Sequence, residues 1–211
     1  MAGEQKYEEF RPLEEEDLLN YLPDVDYSEC GAASDVEFAE LVIEGKALPS
    51  KCPILDEKIA AAMEKVFKLE LPSIPDTAPG TPVTPGIIKV GNPTPDSMVL
   101  INGNCQETIS VIKLILEETL TAAFLLAIDT QGYSIDSALA AETFIPSEVY
   151  KSLGESGIAA EISHRKVILP GLCQRLAADI RRLASWDWEV TLGPVSALEL
   201  PLYLIKMAEE A

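Results

Sequence analysis

Histidine and cysteine are scarce in this chain, which limits the chemistry that its side chains offer. Of 211 residues, one is histidine and four are cysteine. A single histidine, His164, excludes a multi-histidine metal site within the chain and leaves no pair for histidine acid–base catalysis, so we expect a structural role for it. No arrangement of nucleophile and base supports a self-contained enzyme.

Positive charge is also scarce, with 16 Lys and Arg against 35 Asp and Glu. Nucleic acids and anionic membranes attract clustered Lys and Arg, so neither is expected as a partner. The charged start has no apolar signal region, and no apolar run reaches about 18 residues. We therefore expect a cytoplasmic protein with reduced cysteines. Neither GxGxxG nor GxxxxGK[ST] occurs, which disfavours nucleotide binding.

The first 70 residues have helical periodicity. Apolar spacing predicts a helix over about 13–22, a second over 35–44 that ends at Gly45, and a third over about 53–67 with Pro53 in its first turn. Seven prolines lie between residues 71 and 95. They predict an extended rather than packed linker over 71–96, in which the apolar run 87–90 is a candidate edge strand.

Residues 97–211 alternate short apolar runs with helical periods. Strands are expected over 98–101, 122–128, 166–169 and 189–192, with helices after each of them. This alternation predicts an α/β fold, a Rossmann-like, mostly parallel sheet with helices on both faces.

Four loops follow the predicted strands, with the sequences NGNC, DTQG, PGLC and GP. In a parallel sheet such loops meet at the carboxyl edge, where ligands bind. The alternative interpretation of each loop is an ordinary turn. The candidate ligand-binding residues at this edge are Gly103, Asn104, Asp129, Thr130, Gly132, Pro170, Gly171, Gly193 and Pro194.

These loops also carry a family resemblance. The strings NGN, DTQGYSIDSALAAETF, ISHRKVILPG and WEVTLGPVSALELP resemble the carboxyl-terminal domain of the large (gamma) subunit of the corrinoid iron-sulfur protein. That protein serves acetyl-CoA synthase and the acetyl-CoA decarbonylase/synthase complexes of anaerobes. A related domain occurs in the mercury-methylating corrinoid protein. The resemblance implies a corrinoid cofactor, cobalamin bound base-off, at the four loops.

In the family, the helix after DTxG caps the cobalt, which places Ser137 at the capping position. Acetyl-CoA pathway proteins usually have threonine there, and the mercury methylator has cysteine. Serine offers no thiolate, so mercury methylation is not expected. The alternative interpretation is that Ser137 merely occupies the first turn of a helix.

The amino-terminal part resembles the family's small [4Fe-4S] domain, whose ligands follow the pattern C-x2-C-x4-C-x16-C. Cys30 and Cys52 match the second and fourth ligands, whereas Tyr27 and Asp35 occupy the first and third positions. A cubane cluster normally needs four thiolates. A [4Fe-4S] cluster is therefore not expected, and residues 1–70 are interpreted as a degenerate iron-sulfur-type domain with remnant ligands.

The other two cysteines, Cys105 and Cys173, both lie in the predicted loops. They are candidates for a metal site or redox pair, or simply for small core residues. Asp129 is either a contact for a corrin amide or the cap of a turn. Trp186 and Trp188 are expected to pack rather than to stack on a cofactor.

The family's large subunit has a TIM barrel of about 250 residues between its two smaller domains, and here the linker stands in its place. A barrel-containing methyltransferase or corrinoid-protein subunit is thus implied as a partner. The leading hypothesis is a corrinoid-binding protein of one-carbon metabolism, a methyl carrier or accessory. The alternative is a non-catalytic interaction or assembly factor that has lost the cluster and perhaps the corrinoid.

Overall fold

The computed structural model describes residues 11–72 and 79–209. Expectations that fall on 1–10, 73–78 or 210–211 lie outside the described residues. The elements, in chain order, are α1 (Glu15–Leu19), α2 (Asp35–Ile43), α3 (Glu57–Lys68), β1 (Gly86–Val90), β2 (Val99–Gly103), α4 (Gln106–Glu118), β3 (Ala123–Ile128), α5 (Ile135–Ala140), α6 (Pro146–Glu155), α7 (Ile158–Glu161), β4 (Lys166–Leu169), α8 (Gln174–Ala184), β5 (Glu189–Leu192) and α9 (Leu200–Glu209).

Five strands form one sheet in the order β1-β3-β2-β4-β5. The pairs β2–β3, β2–β4 and β4–β5 are parallel, while β1 pairs antiparallel with β3 at the edge. The predicted α/β fold and the candidate edge strand are thus confirmed. After β2 the chain moves to β3 on one side and then crosses to β4 on the other. The carboxyl ends of β2 and β4 therefore mark the topological switch point.

Successive strand residues point to opposite faces of the sheet, and each face has its own core. Leu100, Leu125 and Ile168 face α4 and α9. Their neighbours Ile101, Leu126 and Leu169 face the side of α6 and α8. Every residue of β2 and β3 is buried, as in a central strand covered by helices on both sides.

The amino-terminal helices begin at side-chain caps. Ser34 accepts a hydrogen bond from the backbone N–H of Glu37, and Asp56 accepts from two N–H groups at the start of α3. Because Asp56 is the cap, α3 begins after Pro53 and not at it, contrary to our expectation. The helix α1 is also shorter than the predicted one, although its flanking Leu13 and Leu22 remain in the core. None of the helices in the described ranges is long and apolar enough to cross a bilayer.

The amino-terminal helices share a core with the end of the chain. Leu18, Phe38 and Met63 are fully buried in this core, together with Leu202 of α9. We call residues 11–72 the amino-terminal module. Its packing against α9 brings the module beside the sheet, while the division of the chain into separate domains stays a prediction.

The described part of the linker is hydrogen-bonded to the α/β part, although most of its residues before β1 are exposed. Residues 79–85, which we call the strap, lie over the loops that follow β2 and β3. The Gly80 N–H donates to the Gly132 carbonyl at 2.9 Å, and the Val83 N–H donates to the Asn104 carbonyl at 2.8 Å. Pro82 forms an isolated bridge with Cys105. Proline prevents regular structure here, but carbonyls and the remaining N–H groups still pair with neighbouring loops.

Candidate functional site

A cavity of about 390 Å³ opens at the topological switch point. Its floor comes from the ends of β2 and β4, including Ile101 and Leu169, and Ile135 of α5 forms part of its wall. Leu172 and Val195 also line it and are exposed at its mouth. Ligands of open α/β sheets bind at this point of the fold, and the volume lies within the range of small-molecule sites.

Two polar side chains lining this cavity are buried without a hydrogen-bond partner. They are the amide nitrogen of Asn102, at the end of β2, and the hydroxyl of Thr108, in the first turn of α4. Asn102 is 3% exposed and Thr108 is 9% exposed. Leaving a buried polar group unpaired costs about 1–3 kcal/mol. The two residues line the cavity, while the amide nitrogen and the hydroxyl themselves are buried beneath its surface.

The loops NGNC and DTQG are tied to each other. The Asn104 side-chain oxygen accepts from the N–H groups of Thr130 and Gly132 at 2.9 and 3.0 Å, and from the Thr130 hydroxyl at 3.0 Å. The amide of Asn104 donates to Val83 of the strap at 2.9 Å. These side chains therefore position the loops and the strap.

The glycines of the same two loops permit close packing. Gly132 has φ +81, and a Cβ there would lie 2.8 Å from the Gly80 carbonyl oxygen. A Cβ on Gly103 would lie 2.8 Å from the Thr130 hydroxyl. Asp129 is exposed and accepts from the Gln131 N–H at 3.0 Å, which is the geometry of a turn cap.

The loops after β4 and β5 meet at the cavity. Pro170 and Pro194 line it. The Gly171 N–H donates to the Pro194 carbonyl at 2.8 Å, and the Gly193 N–H donates to the Leu169 carbonyl at 2.8 Å. Of the residues predicted from the loops, the two prolines thus form the wall and the two glycines join the loops behind it.

The helix α5 lies at the cavity wall. Ser134, Ile135 and Asp136 line the cavity, and the Ser134 hydroxyl donates to Asp136 at 2.5 Å. Ser137 follows them directly in α5 and is half-buried. The capping role of Ser137 stays a prediction.

The two free cysteines are buried thiols. Burial raises the pKa of the Cys173 thiol to about 12, and burial likewise raises the pKa of Cys105. The Cys105 thiol donates to the Glu107 carboxylate at 3.2 Å, whereas Cys173 belongs to the core beside α8. A raised pKa keeps each thiol protonated, and a protonated thiol is a poor metal ligand. The described residues contain no cluster of three or more metal-binding side chains.

The expectation of four reduced thiols is wrong for Cys30 and Cys52, which form a disulfide. The segments around them, Ser28–Cys30 and Pro49–Lys51, are short 3-10 helices whose packing brings the two Cα atoms to 4.8 Å. Tyr27 is fully buried, and its ring packs on Phe38 at 5.2 Å between centroids. Sulfurs bonded to each other and a phenol packed in the core do not fit a four-thiolate cluster.

His164 has the structural role that we expected. Its Nε2 lies 3.1 Å from the Ser97 carbonyl, and its Nδ1 accepts from the Lys166 N–H at 3.0 Å. These bonds fix the start of β4 at the edge of the sheet opposite the cavity.

Sequence reasoning missed six polar residues that line the cavity: Arg11, Asn102, Thr108, Ser134, Asp136 and Ser196. The asparagine within the apolar run of β2 could have indicated a cavity residue, because strands buried on both faces are otherwise nearly all apolar. Nothing in the sequence around Arg11 indicated that it lines the cavity. It reaches the cavity only through the packing of the amino-terminal module.

Fold and cavity together define an open α/β protein with a cavity at its switch point. Residues 58–201 match the family described as the CO dehydrogenase/acetyl-CoA synthase delta subunit, and the chain belongs to this family.

Curated relatives bear the name acetyl-CoA decarbonylase/synthase complex subunit gamma. The Methanopyrus kandleri protein is 31% identical over 124 residues, covering 59% of this chain and 26% of its own length. The Archaeoglobus fulgidus protein is 30% identical over 132 residues, covering 62% and 28%. The Methanocaldococcus jannaschii protein is 32% identical over 104 residues, covering 49% and 21%. The chain thus spans about a quarter of the length of these relatives.

Proposed function

We propose that this chain binds a corrinoid at the switch-point cavity and serves methyl transfer in acetyl-CoA pathway metabolism. The observation that carries the proposal is the cavity at the topological switch point, where α/β folds bind ligands. The ligand class comes from the resemblance of the loop strings. The names of the relatives place such proteins in an acetyl-CoA decarbonylase/synthase complex.

The cavity is large enough for part of a corrinoid only. A volume of about 390 Å³ suits a planar heterocycle such as the detached benzimidazole base, whereas the corrin macrocycle would lie at the mouth. There Leu172 and Val195 expose apolar surface against which a macrocycle can pack. Asn102 and Thr108 would pair with the ligand once their side chains turn toward the cavity, which would remove the cost of their present isolation.

When bound, the corrinoid would supply a cobalt ion that accepts and releases a methyl group. The chain's own residues would orient it: α5 forms part of the cavity wall, with Ser137 proposed at the cobalt face. Gly171 and Gly193 hold the loops of the opposite wall together, and Asn104 with Thr130 holds the remaining two loops.

In this proposal, a partner protein supplies the TIM barrel that the family's large subunit contains. A methyltransferase or corrinoid-protein subunit with a TIM barrel would bring the methyl donor to the exposed mouth. In the sequence, the strap stands where the family's barrel would be inserted, and none of its residues 79–85 lines the cavity.

A second candidate function is an interaction or assembly factor without cofactor. Two observations favour it: the strap covers the loops after β2 and β3, and a disulfide stands where the relatives' cluster ligands are expected. Both features suit a chain that keeps the family's fold as a docking surface.

Corrinoid binding separates the two candidates. The purified chain is incubated with cobalamin, passed through gel filtration, and examined by visible spectroscopy. We expect co-eluting absorbance with a base-off spectrum, and a weaker complex in Asn102→Leu and in Thr108→Val. Thr121→Val, at the opposite edge of the sheet, is the matched control for Thr108→Val. Elution without corrinoid absorbance would leave the assembly factor as the better proposal.

A further inference from the structure

A second groove opens at the amino edge of the sheet, opposite the switch-point cavity. It has a volume of about 640 Å³ and lies between α3, α9 and the loops that precede β2 and β3. Ala62 and Leu204 line it and are 3% and 6% exposed, so its base is apolar. Asp96 also lines it, and its carboxylate accepts a hydrogen bond from the Ser163 hydroxyl. We call this surface the amino-edge groove, and it shares no lining residue with the switch-point cavity.

Leu120 lines this groove in a strained backbone conformation. It follows Thr119, the C-cap of α4, and has φ +57. The Thr121 N–H donates to the Leu116 carbonyl at 2.8 Å, and the Leu120 N–H donates to the Glu117 carbonyl at 3.1 Å. This is the Schellman motif, which usually has glycine where Leu120 stands, because other residues are strained at such a φ. Since 84% of the Leu120 surface is exposed, the fold gives no reason for an apolar side chain here, whereas an interface would.

Opposite charges lie on the two sides of the amino-edge groove. Lys58 and Lys65 line it from one face of α3, and neither has an ion pair within the described residues. Glu117 and Glu118 are exposed at the end of α4, directly before the loop that lines the other side. The helix α9 lies between α3 and α4, because it contributes to the cores of both. A basic side, an apolar groove, an exposed leucine and an acidic side thus form one continuous surface.

We propose that the amino-edge groove is the contact surface of a dimer of this chain. A two-fold axis places the same surface of both copies face to face, so that a self-complementary surface can pair with itself. Leu120 of each copy would enter the groove of the other. The two glutamates at the end of α4 would then approach the two lysines of α3. A second copy fits this surface better than an acidic peptide, which would pair with the lysines but face the glutamates unpaired.

The net charge of −19 on each chain does not prevent this contact. At physiological salt, exposed charges more than about 8 Å apart are largely screened, so the local pairs count for more than the total. The dimer goes beyond the proposed function, and it leaves the switch-point cavity open at the opposite edge of the sheet.

Sedimentation equilibrium of the full chain tests the apolar contact. We expect wild type to dimerise with a Kd of roughly 1–100 µM and Leu120→Asn to weaken dimerisation at least about 10-fold. Asparagine tolerates positive φ, so this variant should unfold at a temperature no lower than wild type at concentrations where both are monomeric. That readout separates a lost contact from a lost fold. Val25→Asn, which changes another apolar residue that is 51% exposed, is the matched control and should dimerise like wild type.

An exchange of charges tests the ionic contact. One variant combines Lys58→Glu with Lys65→Glu, and the other combines Glu117→Lys with Glu118→Lys. Like charges meet in each homodimer, so we expect each variant alone to dimerise at least about 10-fold more weakly. In an equimolar mixture opposite charges meet at both ionic contacts of the mixed dimer, which should bring the affinity to within about 3-fold of wild type.

The control for the added negative charge combines Lys46→Glu with Lys151→Glu. Both lysines belong to exposed ion pairs away from the groove, and this variant should dimerise like wild type. A wild type that stays monomeric at about 1 mM would overturn the dimer and leave the groove to a different occupant. Dimerisation that Leu120→Asn leaves unchanged would place the interface elsewhere. A mixture as weak as its separate variants would overturn the pairing of the glutamates with the lysines.

Discussion

At the scale of single residues, two polar side chains that line the cavity lower the stability of the folded protein. Asn102 and Thr108 are buried in the structure without partners, and the free protein gains nothing from them. Apolar residues at both positions would pack equally well and carry no desolvation cost. The fold by itself gives no reason for polar side chains at these two places.

Replacing Thr108 by valine removes a buried hydroxyl without changing side-chain volume. We expect Thr108→Val to raise the free energy of unfolding of the ligand-free protein by about 1 kcal/mol. Urea unfolding followed by circular dichroism measures this change. Thr121→Val serves as control, because Thr121 lies near the hydroxyl of Thr119 at 3.1 Å and should gain nothing. Destabilisation by Thr108→Val would show that the hydroxyl has a partner in solution.

Glu199 makes the docking of the module depend on pH. Burial raises the pKa of its carboxyl above 4.5, and the nearby Asp17 acts in the same direction, against the hydrogen bond from Tyr21 and the charge of Arg11. Because the folded state binds this proton more tightly than the unfolded state, the stabilisation is present below pH 4.5 and is lost as pH rises through the folded pKa.

Glu199→Gln should therefore flatten the pH dependence of stability above pH 4.5. Glutamine still accepts the Tyr21 hydrogen bond but carries no charge to desolvate. Urea midpoints between pH 4.5 and 8 give the comparison. Asp187→Asn, an exposed change at the end of α8, is the control. Identical pH profiles for wild type and Glu199→Gln would contradict this account.

At the scale of elements, the strap differs most from what a proline-rich sequence predicts. Its backbone N–H groups donate to the loops after β2 and β3, whereas those of an extended linker would be hydrogen-bonded to water. The carboxylate of Glu107 adds to this, accepting from both the N–H and the hydroxyl of Thr81 at 3.0 and 2.9 Å.

Gly132→Ala should release the strap. The position has φ +81, and a Cβ would lie 2.8 Å from the Gly80 carbonyl, so alanine is disfavoured both by its own backbone and by the contact. We expect a loss of about 1–3 kcal/mol in unfolding free energy. Hydrogen exchange at Gly80 and Val83 should speed up. Gly154→Ala, in a helix with open space around the position, is the control. Unchanged exchange in the strap would mean that Gly132 does not hold it.

At the scale of the whole molecule, the amino-terminal module joins the two ends of the chain. Its core contains α9, and its Arg11 lines the cavity, so the state of the module bears directly on the site. The disulfide between Cys30 and Cys52 closes a segment of 22 residues that includes α2.

Loss of this disulfide should destabilise the module by about 3 kcal/mol, the loop-closure entropy of a crosslink of this span. Thermal unfolding of wild type with and without dithiothreitol measures the effect. The double variant Cys30→Ser with Cys52→Ser should unfold at the temperature of reduced wild type and show no response to dithiothreitol. Cys105→Ser should retain the full response. A wild type that ignores dithiothreitol would exclude a stabilising disulfide.

The local sequence pattern was enough to predict the helices and strands of the α/β part. The apolar run of β3 and the helical period of α4 can each be read within a few residues, and they also indicate which side chains are buried. The sequence by itself thus determined the succession of strands and helices along the chain, the class of the sheet and the loops at its carboxyl edge. The tertiary structure alone decided which groups meet there: Arg11 with Ser196, Cys30 with Cys52, and the strap with Asn104. Such contacts join distant segments, and their energies depend on the packing of the whole chain, which no local pattern contains.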